Sequence, residues 1–428
     1  MSRLEKLRES WMHQAHLADA ADPLKWLRAH FHIPEKDGRP VVYFTGNSLG
    51  LQPRKAAQYI AEELEAWRTL AVDGHFQGKR PWYHYHTFFS EHLASLLGCQ
   101  PQECVAMGSL TANLHLLLVS FYRPQGQKFK ILCEQNPFPS DLYAFWSQAR
   151  FHGYDPQEAV VELPHNDMAE EEIAQYIESL GDELAVVVFG GVHYLSGRFF
   201  RPGPLVQAAH RVGAFFGLDL AHAIGNIPLT LHDDEVDFAC WCSYKYLNSG
   251  PGAVGGLYVH EKYGGLRDIP RFEGWWGTRS DTRFLMERSF DPAPGAQAWQ
   301  LSNAPVFNMA AHLAALELFS QVGIEALRHK SIQLTGFLEQ GLDQLNEALP
   351  HRSFSLLTPR DPALRGCQLS IIFEDEETGQ RVFKTLLSEG VVVDWRQPRV
   401  MRMAPVPSYN TFEDVARCLC SLADALVL

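Results

Sequence analysis

The sequence contains no apolar run approaching the roughly 20 residues needed to cross a bilayer, so no membrane span is expected. It also lacks a basic excess. Its 37 Lys and Arg stand against 50 Asp and Glu, a formal net charge of −13, and no run of like charge is long enough to act as a tail. Nucleic acid and anionic lipid are gripped by clustered cations, so neither is an expected partner. Cysteine is sparse, with eight residues. Cys240/Cys242 and Cys418/Cys420 form C-x-C pairs, without the C-x₂-C spacing and partner histidines of zinc sites. They read as buried free thiols, no metal site is expected, and the usage suits a reducing compartment. There is no secretory leader pattern: Met1 to Ser10 is charged and amphipathic, a helix, which points to the cytoplasm. Internal repeats and low-complexity stretches are lacking too.

What is present is an ordinary globular composition, 46% hydrophobic and 20% charged. A chain of 428 residues exceeds one comfortable core, so a large domain and a smaller one are expected. Residues 5–30 read as helix. Tyr43 to Gly50 is a short apolar run falling into a glycine-rich turn, and Pro53 opens a helix to about Val72. From about 100 to 260, short continuous apolar runs (129–133, 184–189, 214–218) alternate with helical patterns (168–180, 205–212). Such runs suit strands buried on both faces, hence an α/β fold with a mainly parallel central sheet. After Asn303-Ala304-Pro305 come helices at 307–321 and 323–348 and a strand at 368–373. A helix at 379–389, strands at 391–395 and 399–404, and a helix over 411–428 complete a small α+β unit, with Thr411 and Asp414 spaced as a capping box. The division expected is 1–55, an N-terminal segment packing with the small domain, then 56–305 and 306–428.

Gly250-Pro251-Gly252-Ala253-Val254-Gly255 matches the letters of a dinucleotide loop. That loop must lead from a strand into a helix, whereas Leu257-Tyr258-Val259-His260 reads as a strand, which argues against a nicotinamide or flavin site.

Two segments carry the chemistry. In Gly217-Leu218-Asp219-Leu220-Ala221-His222-Ala223 an apolar strand ends on Asp219, at the carboxyl edge where open α/β sheets bind ligands. In Cys240-Trp241-Cys242-Ser243-Tyr244-Lys245-Tyr246-Leu247-Asn248 a lysine stands among apolar and aromatic residues. Such surroundings make a charged amine costly, and the neutral amine is what Schiff-base chemistry requires. Alone, Lys245 would be a surface lysine and Asp219 a helix cap. Together they fit pyridoxal 5′-phosphate (PLP), whose ring nitrogen needs a buried acid to stay protonated. Gly108-Ser109-Leu110-Thr111-Ala112-Asn113 opens an apolar helix, and Thr111 can offer hydroxyl and backbone N–H to the cofactor phosphate.

These blocks resemble the kynureninase family of PLP enzymes. The resemblance extends to Gly46 through Pro53, Lys79-Arg80-Pro81-Trp82, Phe138-Pro139-Ser140-Asp141, Gly274-Trp275-Trp276-Gly277, Ser302-Asn303 and Arg402 through Pro407, in family order. It implies the PLP-dependent transferase fold (fold type I) and hydrolysis of kynurenine or 3-hydroxykynurenine to anthranilate or 3-hydroxyanthranilate plus alanine, in tryptophan catabolism. It further implies that Lys245 holds PLP and moves protons, and that Asp219 pairs with the pyridine nitrogen. His222 and Asp141 would sit near the ring edge with Phe138 on its face. Leu110, Thr111 and Tyr244 would meet the phosphate region, joined across a homodimer interface by Trp275 and Asn303. Tyr244 would be the acid–base group near the substrate carbonyl. Asn47, Ser48, His75, Asn303 and Arg402 would contact the amino-acid substrate, Arg402 through its carboxylate, with Arg396 and Arg399 as rivals. His75 and Asn303 resemble the animal-type branch, which favours the 3-hydroxy substrate. At Gly190 the chain departs from relatives that carry a serine near the cofactor. A cysteine desulfurase or class V aminotransferase of the same fold is the alternative reading; the former needs a cysteine on a mobile glycine-rich loop, and none of the eight occupies one.

Overall fold

The computed structural model describes residues 3–427; Met1, Ser2 and Leu428, the outermost residues of the two terminal helices expected above, lie outside them. Its larger sheet has seven strands in the order Cys104–Ala106, Gly256–Val259, Phe238–Trp241, Phe215–Asp219, Leu184–Gly190, Lys130–Cys133, Val160–Glu162. Gly256–Val259 runs antiparallel to both its neighbours and the remaining pairs are parallel. The apolar runs take the central places. Leu184–Gly190 is buried at every position but the last. Val187 and Phe189 enter one core, while Val186 and Val188 enter the core on the opposite face, the period-two alternation of a pleated strand covered on both sides. Because Gly250 to Gly255 leads into the antiparallel strand Gly256–Val259 and not into a helix, it has no dinucleotide-binding geometry.

The smaller sheet is antiparallel, in the order Phe354–Leu356, Leu369–Phe373, Val400–Met403, Asp394–Arg396. Helices Ile324–Ala348 and Phe412–Val427 share its core. The capping box forms: Thr411 N–H donates to Asp414 Oδ2 at 3.2 Å and Asp414 N–H to Thr411 Oγ1 at 3.1 Å. Trp11 and Ala15 of the N-terminal helix Arg3–Ala21 lie in this same core, with the Trp11 indole donating to Gln344 Oε1 at 2.6 Å.

Three local expectations change. The helix expected over 5–30 ends at Ala21, and a 3₁₀ turn occupies Lys25–His30. Pro23 has no N–H to continue the ladder, and the Asp22 carboxylate caps Leu24 N–H at 2.8 Å. The strand expected over 391–395 divides between two sheets. Val391–Val392 pairs in parallel with Val42–Tyr43, while Asp394–Arg396 joins the smaller sheet; the partner for the first half comes from the far end of the chain and leaves no local trace. Helix Val306–Val322, assigned from sequence to the C-terminal unit, buries Met309, Ala310, Leu313 and Leu316 in the larger core. Among the described residues no helix is long and apolar enough to cross a membrane.

Candidate active site

Three neighbouring parallel strands end side by side, and their ends make the floor of a cavity. Glu134 comes directly after Lys130–Cys133, Gly190 ends Leu184–Gly190, and Asp219 ends Phe215–Asp219 in register with Gly190. Carboxyl ends of parallel strands are where loops diverge and leave room for a ligand. Leu110 and Thr111 enter from the N-terminus of helix Leu110–Phe121, and Phe138, Ser140 and Asp141 from the start of helix Pro139–Phe151. His222 lies three residues beyond Asp219, and Tyr244 and Lys245 come from the loop after Phe238–Trp241. Eight residues singled out from sequence thus share one cavity.

Lys245 differs from expectation in one respect: it is half-buried, not enclosed. Its Nζ lies 5.8 Å from the centroid of Phe138, whose ring is exposed toward the cavity and packs edge-on against Tyr194 at 5.3 Å. The turn after Tyr43 closes against this loop, with Gly50 N–H donating to the Tyr244 carbonyl at 2.8 Å. A side chain at Gly50 would place its Cβ 2.3 Å from the Lys245 carbonyl oxygen, so that glycine is required by close approach.

The electrostatics are set by buried acids facing one amine. Burial raises the Asp219 carboxyl above the usual range, while Lys245 and the Ala221 N–H, 2.7 Å from Oδ1, pull it back. Asp141 is raised much further, by burial first and then by the charge and hydrogen bond of Asp219. Both carboxyls of the pair are thus raised, Asp141 the more, which favours a proton shared between them with the charge on the Asp219 side. Burial pushes Glu134 up to about 7, although its Oε2 accepts Gly190 N–H at 3.1 Å. Burial, then the charges of Lys245 and Arg402, hold the His222 imidazole neutral. Burial raises the Tyr244 phenol, keeping it a proton donor.

The residues present fit PLP. His222 Nδ1 and Asp141 Oδ1 are buried without a partner, polar atoms that a ring bearing nitrogen and oxygen would satisfy. Asp219 would supply an anion for a protonated ring nitrogen and Phe138 an open face for stacking. The Thr111 and Ser140 hydroxyls, 2.7 Å apart, come from the first turns of helices Leu110–Phe121 and Pro139–Phe151, where a phosphate is favoured.

Other expected site residues lie outside this cavity. His75, Trp275 and Asn303 line a second one, walled by Phe76, Tyr83 and Phe284. Asn47 is buried, donating to Gln368 Oε1 at 2.8 Å with its own Oδ1 unpaired, and Ser48 is exposed. Arg402 is buried on Val400–Met403, whereas its rival Arg399 turns away to the Glu374 carbonyl at 2.8 Å. Glu134 and Ser140 carry no role in the motif reading. Glu134 would be found only by noting an acid directly after an apolar strand. Gly190 belongs to the wall after all: an added Cβ would sit 2.9 Å from Glu134 Oε1, so this acid occupies the space a serine side chain would need.

Both C-x-C pairs are free thiols; Cys240, Cys242 and Cys418 are buried and Cys420 is half-buried. Burial pushes the Cys242 thiol up to about 11, the opposite of an activated nucleophile. Elsewhere Glu103, His232 and His260 converge. The Glu103 oxygens already accept the N–H groups of Gln100 and Glu261, both at 2.8 Å, and the His232 ring at 3.0 Å, which makes this a capping network.

Comparison with known proteins matches residues 42–359 to the class-V aminotransferase family and 327–422 to the kynureninase C-terminal domain. The chain is 53% identical to a kynureninase of Myxococcus xanthus over 93% of each chain. It is 48% identical to one from Christiangramia forsetii and 49% to one from Xanthomonas campestris, each over 93% of this chain and 94% of the relative. Among solved structures, a cysteine desulfurase from Escherichia coli superposes with a TM-score of 0.74 at 18% identity, over 94% of this chain and 98% of that one. One from Thermococcus onnurineus gives 0.73 at 16%, over 90% and 95%. Those two establish the PLP-dependent transferase fold and nothing finer, while the near-complete matches at about half identity decide the family: the chain belongs to the kynureninases.

Proposed function

We propose that this enzyme is a kynureninase, hydrolysing L-kynurenine, 3-hydroxy-L-kynurenine or both to anthranilate or 3-hydroxyanthranilate and L-alanine. The observation that carries the reading is Lys245 and Asp219 in one cavity at the sheet edge, with Arg402 bonded to the carbonyl of Tyr194 in its wall. PLP, when bound, supplies a cationic ring that takes up negative charge from the substrate carbon bearing the amine. Asp219, hydrogen-bonded by Asp141, keeps that ring nitrogen protonated. Thr111 and the helix start at Leu110 hold the phosphate. The Lys245 amine bears the covalent attachment and moves the proton at the substrate α-carbon. The Tyr244 hydroxyl donates toward the substrate carbonyl as water adds there. The net reaction places the water's hydroxyl on the carbonyl carbon, forming the anthranilate carboxyl, and its hydrogen on the β-carbon, forming the alanine methyl. Release of fluorescent anthranilate from kynurenine by the purified protein tests this directly. Accumulation of a keto acid and pyridoxamine phosphate instead would mean transamination.

We further assign a homodimer located in the cytoplasm. Val72, Phe76, Trp275, Phe284 and Leu301 are exposed apolar side chains around the second cavity, a patch that favours burial against a second copy. Arg402→Lys should raise KM by about tenfold or more with the cofactor absorbance unchanged, because lysine cannot make two parallel bonds to a carboxylate. If Arg396→Lys did this damage and Arg402→Lys did not, the carboxylate site would belong to Arg396. His75 and Asn303 line the second cavity, rich in aromatics, and we assign that cavity, brought in by the second copy, to the ring end of the substrate. A polar pair placed to bond a ring hydroxyl discriminates against the analogue lacking it. The parent should therefore prefer 3-hydroxykynurenine in kcat/KM, and His75→Phe should shift the ratio toward kynurenine. A ratio unmoved by that change would remove His75 as the selector.

A further inference from the structure

Arg402 is pinned on two sides. Its Nη1 donates to the Tyr194 carbonyl at 2.6 Å, and its Nη2 donates to Asp394 Oδ2. Asp394 stands directly opposite Arg402 across the strand pair, and the same Oδ2 accepts Nη2 of Arg396 at 3.3 Å. The Tyr194 carbonyl is itself fixed, because Gln368 Nε2 donates to it at 3.0 Å and Ser370 Oγ donates to the next carbonyl, Leu195, at 2.6 Å. Tyr194 also lines the cavity, with its ring against Phe138. Of the three guanidinium nitrogens Nε alone has no acceptor, on a residue only 1% exposed.

We propose that Asp394 is a positioning residue for the substrate: with the Tyr194 carbonyl it clamps the Arg402 guanidinium so that Nε–H, together with a second Nη hydrogen, is turned toward the substrate's α-carboxylate. The inference rests on the kynureninase reading above and adds a residue to it. A guanidinium has five N–H groups in a rigid plane, so fixing two of its nitrogens fixes the direction of the third. A buried cation also needs a counter-charge to stay in place. Asp394 provides one, yet two arginines share this single carboxylate, so an excess positive charge remains for an anionic substrate. Asp394 touches neither cofactor nor reacting atoms, and its effect should appear in binding alone.

The test uses the PLP-loaded enzyme. Asp394→Asn keeps the shape and removes the charge. It should raise KM for kynurenine by about tenfold or more, the loss expected when a hydrogen bond to a charged group is misaligned, and leave kcat within about threefold. L-Alanine, read by the change it makes in cofactor absorbance, should bind weaker by a similar factor. The ring analogue 2-aminoacetophenone, which has no carboxylate, should inhibit the variant as it does the parent. Asp394→Glu, which restores the charge, should recover part of the loss. An unchanged or lowered KM would overturn the proposal, as would equal weakening of alanine and the ring analogue, since that pattern is general damage. If the parent releases no anthranilate, the kynureninase reading fails, while the alanine titration still reports whether Asp394 positions Arg402.

Discussion

Asp219→Asn should lower kcat by at least about a hundredfold, the size of a lost preorganised electrostatic contact, while cofactor is retained. Asparagine keeps the volume and can still accept the Ala221 N–H, which in the parent lies 2.7 Å from Oδ1. It cannot carry the negative charge that stabilises a protonated ring nitrogen, and Asp141, whose proton is held by burial and by the Asp219 charge, does not replace it. The same variant has a stability consequence of definite sign. A carboxyl raised on folding contributes stability that is fully present below its unfolded value and is lost as pH rises through its folded value. At neutral pH the cofactor-free Asp219→Asn protein should therefore melt no lower than the parent. Turnover close to the parent's would place the ring-nitrogen partner on another residue, with Glu134 the next acid to examine on the same cavity floor.

Lys245→Ala should reduce turnover by at least about a thousandfold, since one amine serves both as attachment point and as proton carrier. Borohydride reduction of the parent should fix the cofactor covalently, and peptide mass mapping should find it on Lys245. In Lys245→Ala no such adduct should form, although Phe138, Thr111 and Asp219 remain to bind the cofactor without a bond. The half-buried position of Lys245, with Nζ on the Phe138 side, is consistent with an amine that must exchange a bond with an incoming substrate. An adduct on a different lysine would sink this assignment and the mechanism built on it.

The sequence by itself determined the central sheet and the pair at its edge. Continuous apolar runs can satisfy only strands covered on both faces, and a strand that ends on an acid marks the ligand edge, so Asp219, His222 and Lys245 were legible from local pattern. The glycine loop before Gly256 was separable from a dinucleotide site for the same reason, because the residues after it, Gly256–Val259, form a strand and not a helix. Tertiary structure alone decided the neighbours. Glu134 reaches the site because Lys130–Cys133 lies beside Leu184–Gly190 in the sheet, an order that no spacing encodes. Arg402 stands out from Arg399 because it lies within the strand Val400–Met403, opposite Asp394, while Arg399 sits in the turn before that strand and bonds the Glu374 carbonyl. His75, Trp275 and Asn303 gather in a cavity of their own, apart from the one that holds Lys245. Local sequence fixes which face of an element is buried; which side chains meet across elements depends on strand order and register, set by long-range pairing.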